Sequence, residues 1–434
     1  MGSVLVPYSE MQQAFKDNPD SVQNAVSQGA TAAAGGDPTQ RARLIAQWHE
    51  AVAALEQSSQ GTSILATPQN ALASRLQTML ASNATAAGKT QVVQPRQTVT
   101  TSAGDSQAEE TVVVKFDNND LIGWLGTGLR IAFGADRHPW IAPPEAPETI
   151  PDDVRIAVFG DWGTGMYGAP VIGDTIVKKL TRCDVVLHLG DTYYSGADDE
   201  IDRRLIGDWP VRGGKTINRT LNGNHEMYSG GMGYFRALAS FFNQPASCFA
   251  MQNSNWILVA LDTAYKDFDI APDQVAWLKR IVAAAGPQRK LILFSHHQPF
   301  SQLDDQGPNL QIALSELLEQ QRVTAWFWGH EHRLVVYEPH PQWGVKGRCV
   351  GHGGFPSFRD TQIGAGGDIY KWIHMAADLH APEALLLDGP NFWVTVNPTQ
   401  YSPNGFLFLE FNGKNAWETY RTPDNIAVSE RWAL

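Results

Sequence analysis

The chain has 434 residues, more than the roughly 250–300 at which a single hydrophobic core stops growing, so more than one packing unit is expected. Its composition, 43% hydrophobic and 18% charged with 14 Trp, is that of an ordinary globular protein with a heavy aromatic load, and the net charge of −12 argues against a nucleic acid or an anionic membrane held by bulk electrostatics. The widely spaced Cys183, Cys248 and Cys349 do not form a disulfide framework and read as small buried residues, and no apolar run nears the ~18 residues that span a bilayer. Residues 1–10 lack the charged and apolar regions of a secretory signal, which makes cytoplasmic residence the default expectation.

In chain order, residues 1–90 are rich in Ala, Gln and Ser and form a first, mainly helical region. Asp37-Pro38 and Thr67-Pro68 each place a side-chain oxygen ahead of a proline, the pattern of an N-cap followed by the first helical residue. Leu44, Trp48, Val52 and Leu55 recur at helical spacing, and Leu72, Leu76, Met79 and Leu80 do so again. Apolar stripes are normally buried, so this region is expected to act as a cap, a packing extension, or the surface of a homo-oligomer or partner. It carries no assigned chemistry. Residues 91–150 read as a linker containing a short strand at 111–116, a turn at Asp117-Asn118-Asn119-Asp120 without the Gly and Glu of a calcium loop, and a Pro-rich boundary.

Over 151–434 the pattern changes to alternating strands and helices, the α/β grammar of a mostly parallel sheet. Strands are predicted at 154–159, 184–189, 216–221, 248–251, 256–262, 290–295 and 323–328, with helices at 172–180 and from Pro272 onward. After His332 the chain is strand-rich, at 334–337, 345–350 and 406–411, which predicts a second sheet packed on the first.

Five of these strands end in polar motifs: Gly160-Asp161-Trp162-Gly163, Gly190-Asp191-Thr192-Tyr193-Tyr194, Gly223-Asn224-His225-Glu226, Ser295-His296-His297 and Gly329-His330-Glu331-His332. All are expected at one edge of one sheet, where open α/β sheets place their ligands. Oxygen and imidazole donors without thiolates suit Zn, Mn or Fe, and the donors are too many for one ion, so the motifs imply two. Paired ions need a shared carboxylate, for which Asp191 is the natural candidate, and such pairs act in phosphoryl transfer. His330 and His332, two apart, would face the same side. His188, inside a strand, reads as a core residue.

The five motifs resemble those of the calcineurin-like metallophosphoesterase superfamily, and among them most nearly the purple acid phosphatases. The wider superfamily has a His two residues after the first Asp, where this chain has Gly163; the narrower pattern replaces it with a Tyr three residues after the bridging Asp, where Tyr194 stands. The resemblance covers roughly residues 155–332. It implies a four-layer αββα sandwich of two mixed sheets flanked by helices. It assigns Asp161, Asp191, Tyr194 and His332 to a first metal, and Asp191, Asn224, His296 and His330 to a second, with Fe(III) at the first site and Zn, Mn or Fe(II) at the second. His225 becomes a general acid. The fourth motif departs from the pattern, since Pro299 follows His297 by two residues and His296 by three; the strand tip favours His296 as ligand and leaves His297 to the substrate. Tyr193, His352 and Arg359 are further candidates for substrate binding.

The expected function is hydrolysis of a small phosphate ester by a metal-bound hydroxide assisted by His225, with monoesters favoured over diesters. A diesterase or nucleotide hydrolase without Tyr194 ligation is the rival within the superfamily. A metal-dependent scaffold that recruits partners through its N-terminal helices is the rival of another class.

Overall fold

The structure, a computed structural model, describes residues 137–434 apart from 194, 212–214, 305–306, 360–363, 365 and 395–397, together with parts of 23–58. The chain divides into two compact units, one of Met1–Arg137 with Tyr193–Ala197 and Tyr228–Gly230, the other of His138–Thr192, Asp198–Met227 and Gly231–Leu434. In the first, helix α1 (Pro38–Ser58) begins where the sequence places it, because the Asp37 carboxylate accepts the backbone N–H groups of Thr39 at 2.8 Å and Gln40 at 3.3 Å. Leu44 packs with Ala30 and Ala34, and Trp48 is buried. The helix start at Thr67, the strand at 111–116 and the turn after it lie outside the described residues.

The second unit opens with β1 (Glu148–Thr149), β2 (Asp153–Phe159), helix α2 (Gly168–Lys178), β3 (Val185–His188) and β4 (Ile217–Thr220). Two short helices follow, α3 (Asn224–Met227) and α4 (Met232–Ala237), and then β5 (Phe249–Gln252), β6 (Trp256–Ala260), α5 (Pro272–Ala285) and β7 (Lys290–Phe294). Helices α6 (Pro308–Ala313) and α7 (Ser315–Glu319) lead to β8 (Val323–Trp328). The remainder is strand: β9 (Leu334–Pro339), β10 (Lys346–Val350), β11 (Lys371–Met375), β12 (Ala384–Asp388), β13 (Phe406–Asn412), β14 (Asn415–Arg421) and β15 (Trp432–Ala433). Residues 148–149 pair with β5, so the sheet reaches back into what the sequence reads as linker.

These strands form two mixed sheets, one ordered β1-β5-β6-β7-β8-β10-β9-β12-β11 and the other β15-β14-β13-β2-β3-β4. Alternation along each strand feeds three separate cores. In β2, Val154, Ile156 and Val158 face the other sheet, while Ala157 and Phe159 face α2 and its neighbours. In β7, Ile292 and Phe294 join the core between the sheets, while Leu291 and Leu293 pack under α5 beside Trp277, Leu278 and Ile281. Helix, sheet, sheet, helix is therefore the layer order, and the αββα expectation holds.

The division of strands between the sheets differs from the sequence reading. The strands after His332 do not make a sheet of their own: β9 to β12 extend the sheet of β5–β8, and β13 to β15 extend that of β2–β4. Strands buried on both faces are continuously apolar, so nothing in them says which sheet they join. Besides the core between them, polar links tie the sheets together, and two buried ones start from β10. At one, the Gly160 N–H donates to the Val350 carbonyl at 3.0 Å. At the other, buried Arg348 on β10 meets buried Glu418 on β14 through Nε bonds of 2.9 Å to both carboxylate oxygens, with its Nη1 donating to the Tyr337 and Gly347 carbonyls.

Candidate metal centre

The five motifs do not share one sheet. Asp161, Asp191 and Asn224 follow β2, β3 and β4 of the six-stranded sheet; His296, His330 and His332 follow β7 and β8 of the nine-stranded one. They meet because the carboxyl ends of these parallel strands converge, the place where α/β folds bind ligands. Asp161, Asp191, His330 and His332 all adopt left-handed backbone, at φ 55, 77, 68 and 54°. Such conformations are costly for non-glycine residues, about 1–3 kcal/mol each, and persist where the surroundings impose them. Here they turn each side chain off its strand axis toward a common point.

Two groups of ligand atoms result, Asp161 with Asp191 and His332, and His296 with His297 and His330, each with its atoms within 4.8 Å of one another. In the first, His332 Nε2 lies 3.3 Å from Asp161 Oδ1, and Asp161 Oδ2 accepts the His330 N–H at 2.8 Å. In the second, His296 Nε2 is 3.0 Å from Asn224 Oδ1 and 3.3 Å from His330 Nδ1, which is itself 3.0 Å from Asn224 Oδ1. Asp191 connects them, since its Oδ1 also stands 3.4 Å from His296 Nε2. Two glycines are required by this convergence. A Cβ on Gly223 would collide with Asp191 Oδ1, and one on Gly329 would come within 2.7 Å of Asp161 Oδ2.

The donor set fits a metal. His296 Nδ1 is 2.9 Å from the Leu189 carbonyl, so it carries the proton it donates and leaves Nε2 as the ligating atom. Nε2 stands 3.0 Å from Asn224 Oδ1 and 3.4 Å from Asp191 Oδ1, a grouping that a proton or a metal cation must bridge. A backbone carbonyl that orients the far nitrogen is also the usual second partner of a ligating imidazole. Burial holds the imidazoles in the ligating form, pushing His297 and His330 well below the usual histidine range and His332 down to about 4. For Asp191 burial alone would raise the carboxyl, but His296, His225 and His330 outweigh it and keep it ionised.

His225 is fully buried, with its backbone N–H donating to Asp191 Oδ1 at 3.1 Å and its Nε2 3.7 Å from Asp191 Oδ2. Glu226 clasps two of the motifs: its Oε2 accepts the N–H groups of Asp191 at 3.1 Å and Gly223 at 2.7 Å. Burial, and then the Asp191 charge, raise its carboxyl to about 8.

Other candidates stand elsewhere. Arg359 is not a phosphate clamp here, because both arms of its guanidinium are taken by Asp388 at 2.7 and 2.6 Å and Nη1 donates to the Gly367 and Thr399 carbonyls. His352 joins neither ligand group; its buried ring packs against Gly405 and its carbonyl accepts the Gly405 N–H. Tyr194 lies outside the described residues, and Tyr193 is buried and belongs to the first unit. His188 is a core residue as expected, caged by Phe159, Trp162 and Trp209 with Nδ1 3.1 Å from Thr220 Oγ1. The three cysteines are buried and form no disulfide among the described residues. Among the described residues no helix is long and apolar enough to cross a membrane.

Two aromatics escaped the sequence reading. Phe355 packs on the His332 ring at 4.1 Å between centroids, and Phe268 lies 3.9 Å from His297 and 5.0 Å from His330. No motif marks either; Phe268 is set in place by left-handed backbone at Asp267 and at itself.

Residues 154–334 match the calcineurin-like phosphoesterase family. Tartrate-resistant acid phosphatase type 5 from Sus scrofa is 24% identical over 311 residues, 61% of this chain and 86% of that protein; the Homo sapiens protein is 26% identical over 227 residues, 42% of this chain and 67% of its own length. Among solved structures, a purple acid phosphatase from yellow lupin (Lupinus luteus) seeds aligns with a TM-score of 0.47 at 16% identity, over 65% of this chain and 54% of the lupin chain.

Proposed function

We propose that this calcineurin-like phosphoesterase, whose curated relatives are acid phosphatases, hydrolyses small phosphate monoesters at a two-metal centre. The observation that carries the reading is the pair of ligand groups joined by Asp191, with His296 Nε2 turned onto the oxygens of Asn224 and Asp191. Asp161, Asp191 and His332, with Tyr194, would hold the first ion, and Asp191, Asn224, His296 and His330 the second. When bound, the ions would supply a nucleophile at neutral pH and offset the charge of the phosphoryl oxygens. A phenolate donor from Tyr194 would favour Fe(III) at the first position, with Zn, Mn or Fe(II) at the second.

The chain's own groups do the rest. Asp191 fixes His225 twice, through the backbone N–H and through the ring 3.7 Å away, and so aims the imidazole at the junction of the two groups. Protonated, His225 delivers its proton to the departing alkoxide oxygen, the role of a general acid. Glu226 holds the loops of Asp191 and Gly223 in register, which keeps that junction closed. The left-handed turns at Asp161, Asp191, His330 and His332 hold these side chains toward a common point, and such preorganisation is what electrostatic stabilisation of a transition state requires.

The test is metal analysis of the purified protein together with turnover of p-nitrophenyl phosphate and bis(p-nitrophenyl) phosphate. Two ions per chain and faster monoester than diester hydrolysis are expected. A chain with both ions bound that turns over neither compound overturns the reading; a diester preference overturns its monoester part.

A further inference from the structure

We propose that His297 is a third imidazole ligand at the second metal position, beside His296 and His330, so that this position carries one more nitrogen donor than the purple acid phosphatase pattern provides. The proposal rests on the two-metal reading above and adds to it a ligand that the reading left to the substrate.

Three observations carry it. First, one ligand atom each from His296, His297 and His330 falls within 4.8 Å of the others, and the His297 ring centroid is 4.9 Å from that of His296 and 4.7 Å from that of His330. Second, the tautomer is settled by hydrogen bonding. His297 Nδ1 lies 2.9 Å from the Thr263 carbonyl oxygen, which can only accept, so Nδ1 holds the proton and Nε2 holds a lone pair. The His297 backbone N–H donates to Thr263 Oγ1 at 3.1 Å, which anchors the residue from its other side. Third, that Nε2 is buried and has no hydrogen-bond partner among the described residues. A buried acceptor without a partner is destabilising, and a cation is the partner a lone pair among imidazoles calls for.

A purely packing role would look different. His188 also has a ring nitrogen without a partner among the described residues, but it sits in a cage of Phe159, Trp162 and Trp209 and belongs to neither ligand group. His297 has two imidazoles for neighbours, and Phe268 covers its outer face at 3.9 Å, which fixes the ring plane. Adjacent histidines on a strand would point to opposite faces, but β7 ends at Phe294, and both rings reach the same cluster because the chain has left the strand. The chemical consequence is selectivity: a third imidazole favours Zn or Fe(II) over Mn, which prefers oxygen donors.

The experiment is a metal titration of the apo form of the full chain, comparing wild type with His297→Ala and with His297→Phe, which keeps the volume. Zn(II) binding is read against a chromophoric chelator and Co(II) binding by its visible d–d bands. In both variants the first equivalent is expected to bind as in wild type and the second to weaken by about 10- to 100-fold, with altered Co(II) bands. X-ray absorption of the fully loaded wild type needs no variant and should count four coordinated imidazoles, from His296, His297, His330 and His332, over the two ions. A second equivalent that binds within about twofold of wild type, with unchanged Co(II) bands, or an imidazole count of three, overturns the proposal, even where phosphate-ester turnover falls. A wild type that binds fewer than two ions is instead a failure of the two-metal reading.

Discussion

The two ligand groups are unlike in donor and in origin. Asp161 and Asp191 come from the six-stranded sheet and make their group oxygen-rich, with His332 as the one imidazole; His296, His297 and His330 all come from the nine-stranded sheet and make theirs nitrogen-rich. One sheet thus supplies hard anionic donors and the other borderline neutral ones, which would sort a trivalent ion from a divalent ion. The difference also means that the spacing of the centre is set by how the sheets are held together. Asp191 is the residue that spans the division, standing in the oxygen-rich group and 3.4 Å from His296 of the other.

The largest break in this comparison comes from Asp191→Asn. It keeps the shape and removes the charge that both groups share, so both ions should be lost and monoester turnover should fall by at least the ~10²–10³-fold typical of losing one electrostatic partner. Metal analysis and kinetics on the same preparation check it. His225→Ala should separate the groups' chemistry from their binding: both ions stay, while kcat falls by about 10²–10⁴-fold. A His225→Ala protein that loses metal would show the residue to be part of the coordination instead.

Next in size is the joint between the sheets. Arg348→Met leaves the Glu418 carboxylate buried with, among the described residues, only the Tyr420 hydroxyl bonded to it at 3.0 Å. Removing one partner of a buried pair costs about 3–5 kcal/mol, which denaturant unfolding will measure. If the spacing of the centre depends on this joint, metal affinity should fall as well.

The strand ends were legible because glycine beside a metal-type residue at the close of a strand is an uncommon pattern, and four of them came in order with Ser295-His296-His297 among them. The partition of strands was not, because Val185-Val186-Leu187 and Leu291-Ile292-Leu293 are buried on both faces and read alike while lying in different sheets. Strands β11, β12 and β14 also went unread. Arg359 was misjudged because its partner, Asp388, lies 29 residues away on a strand the sequence did not reveal. The left-handed turns at Asp161, Asp191, His330 and His332 are invisible in composition, since tertiary structure, not glycine, imposes them. His296 and His297 compete in the sequence reading because the end of β7 at Phe294 is not visible there, and past it both rings reach the cluster.

A smaller effect tests the contact between the groups directly. Gly223→Ala sets a methyl against Asp191 Oδ1 and within 2.7 Å of His296 Cε1, the two residues that join the halves. Overpacking of this kind costs about 1–3 kcal/mol, and the loss should appear as weaker binding of the second ion before it appears in folding. A variant that unfolds more readily but titrates like wild type would show that the joint has room to adjust.

The smallest effect uses His188 as the reference imidazole, one that takes no part in either group. Burial lowers its pKa from 6.5 to about 3, so the unfolded chain binds a proton there that the folded chain refuses. Its contribution to stability is complete above the unfolded value of 6.5 and is lost as the pH falls from there toward about 3. His188→Phe, an aromatic ring in an aromatic cage, removes that proton uptake. Between pH 6.5 and one unit lower, the loss of stability should therefore shrink by about 1 kcal/mol relative to wild type. The His297, His330 and His332 imidazoles are depressed in the same direction, but a bound ion would withhold them from protonation. The acid sensitivity that remains in the metal-loaded His188→Phe protein, set against the apo form, then measures how much of the fold's response to pH belongs to the centre.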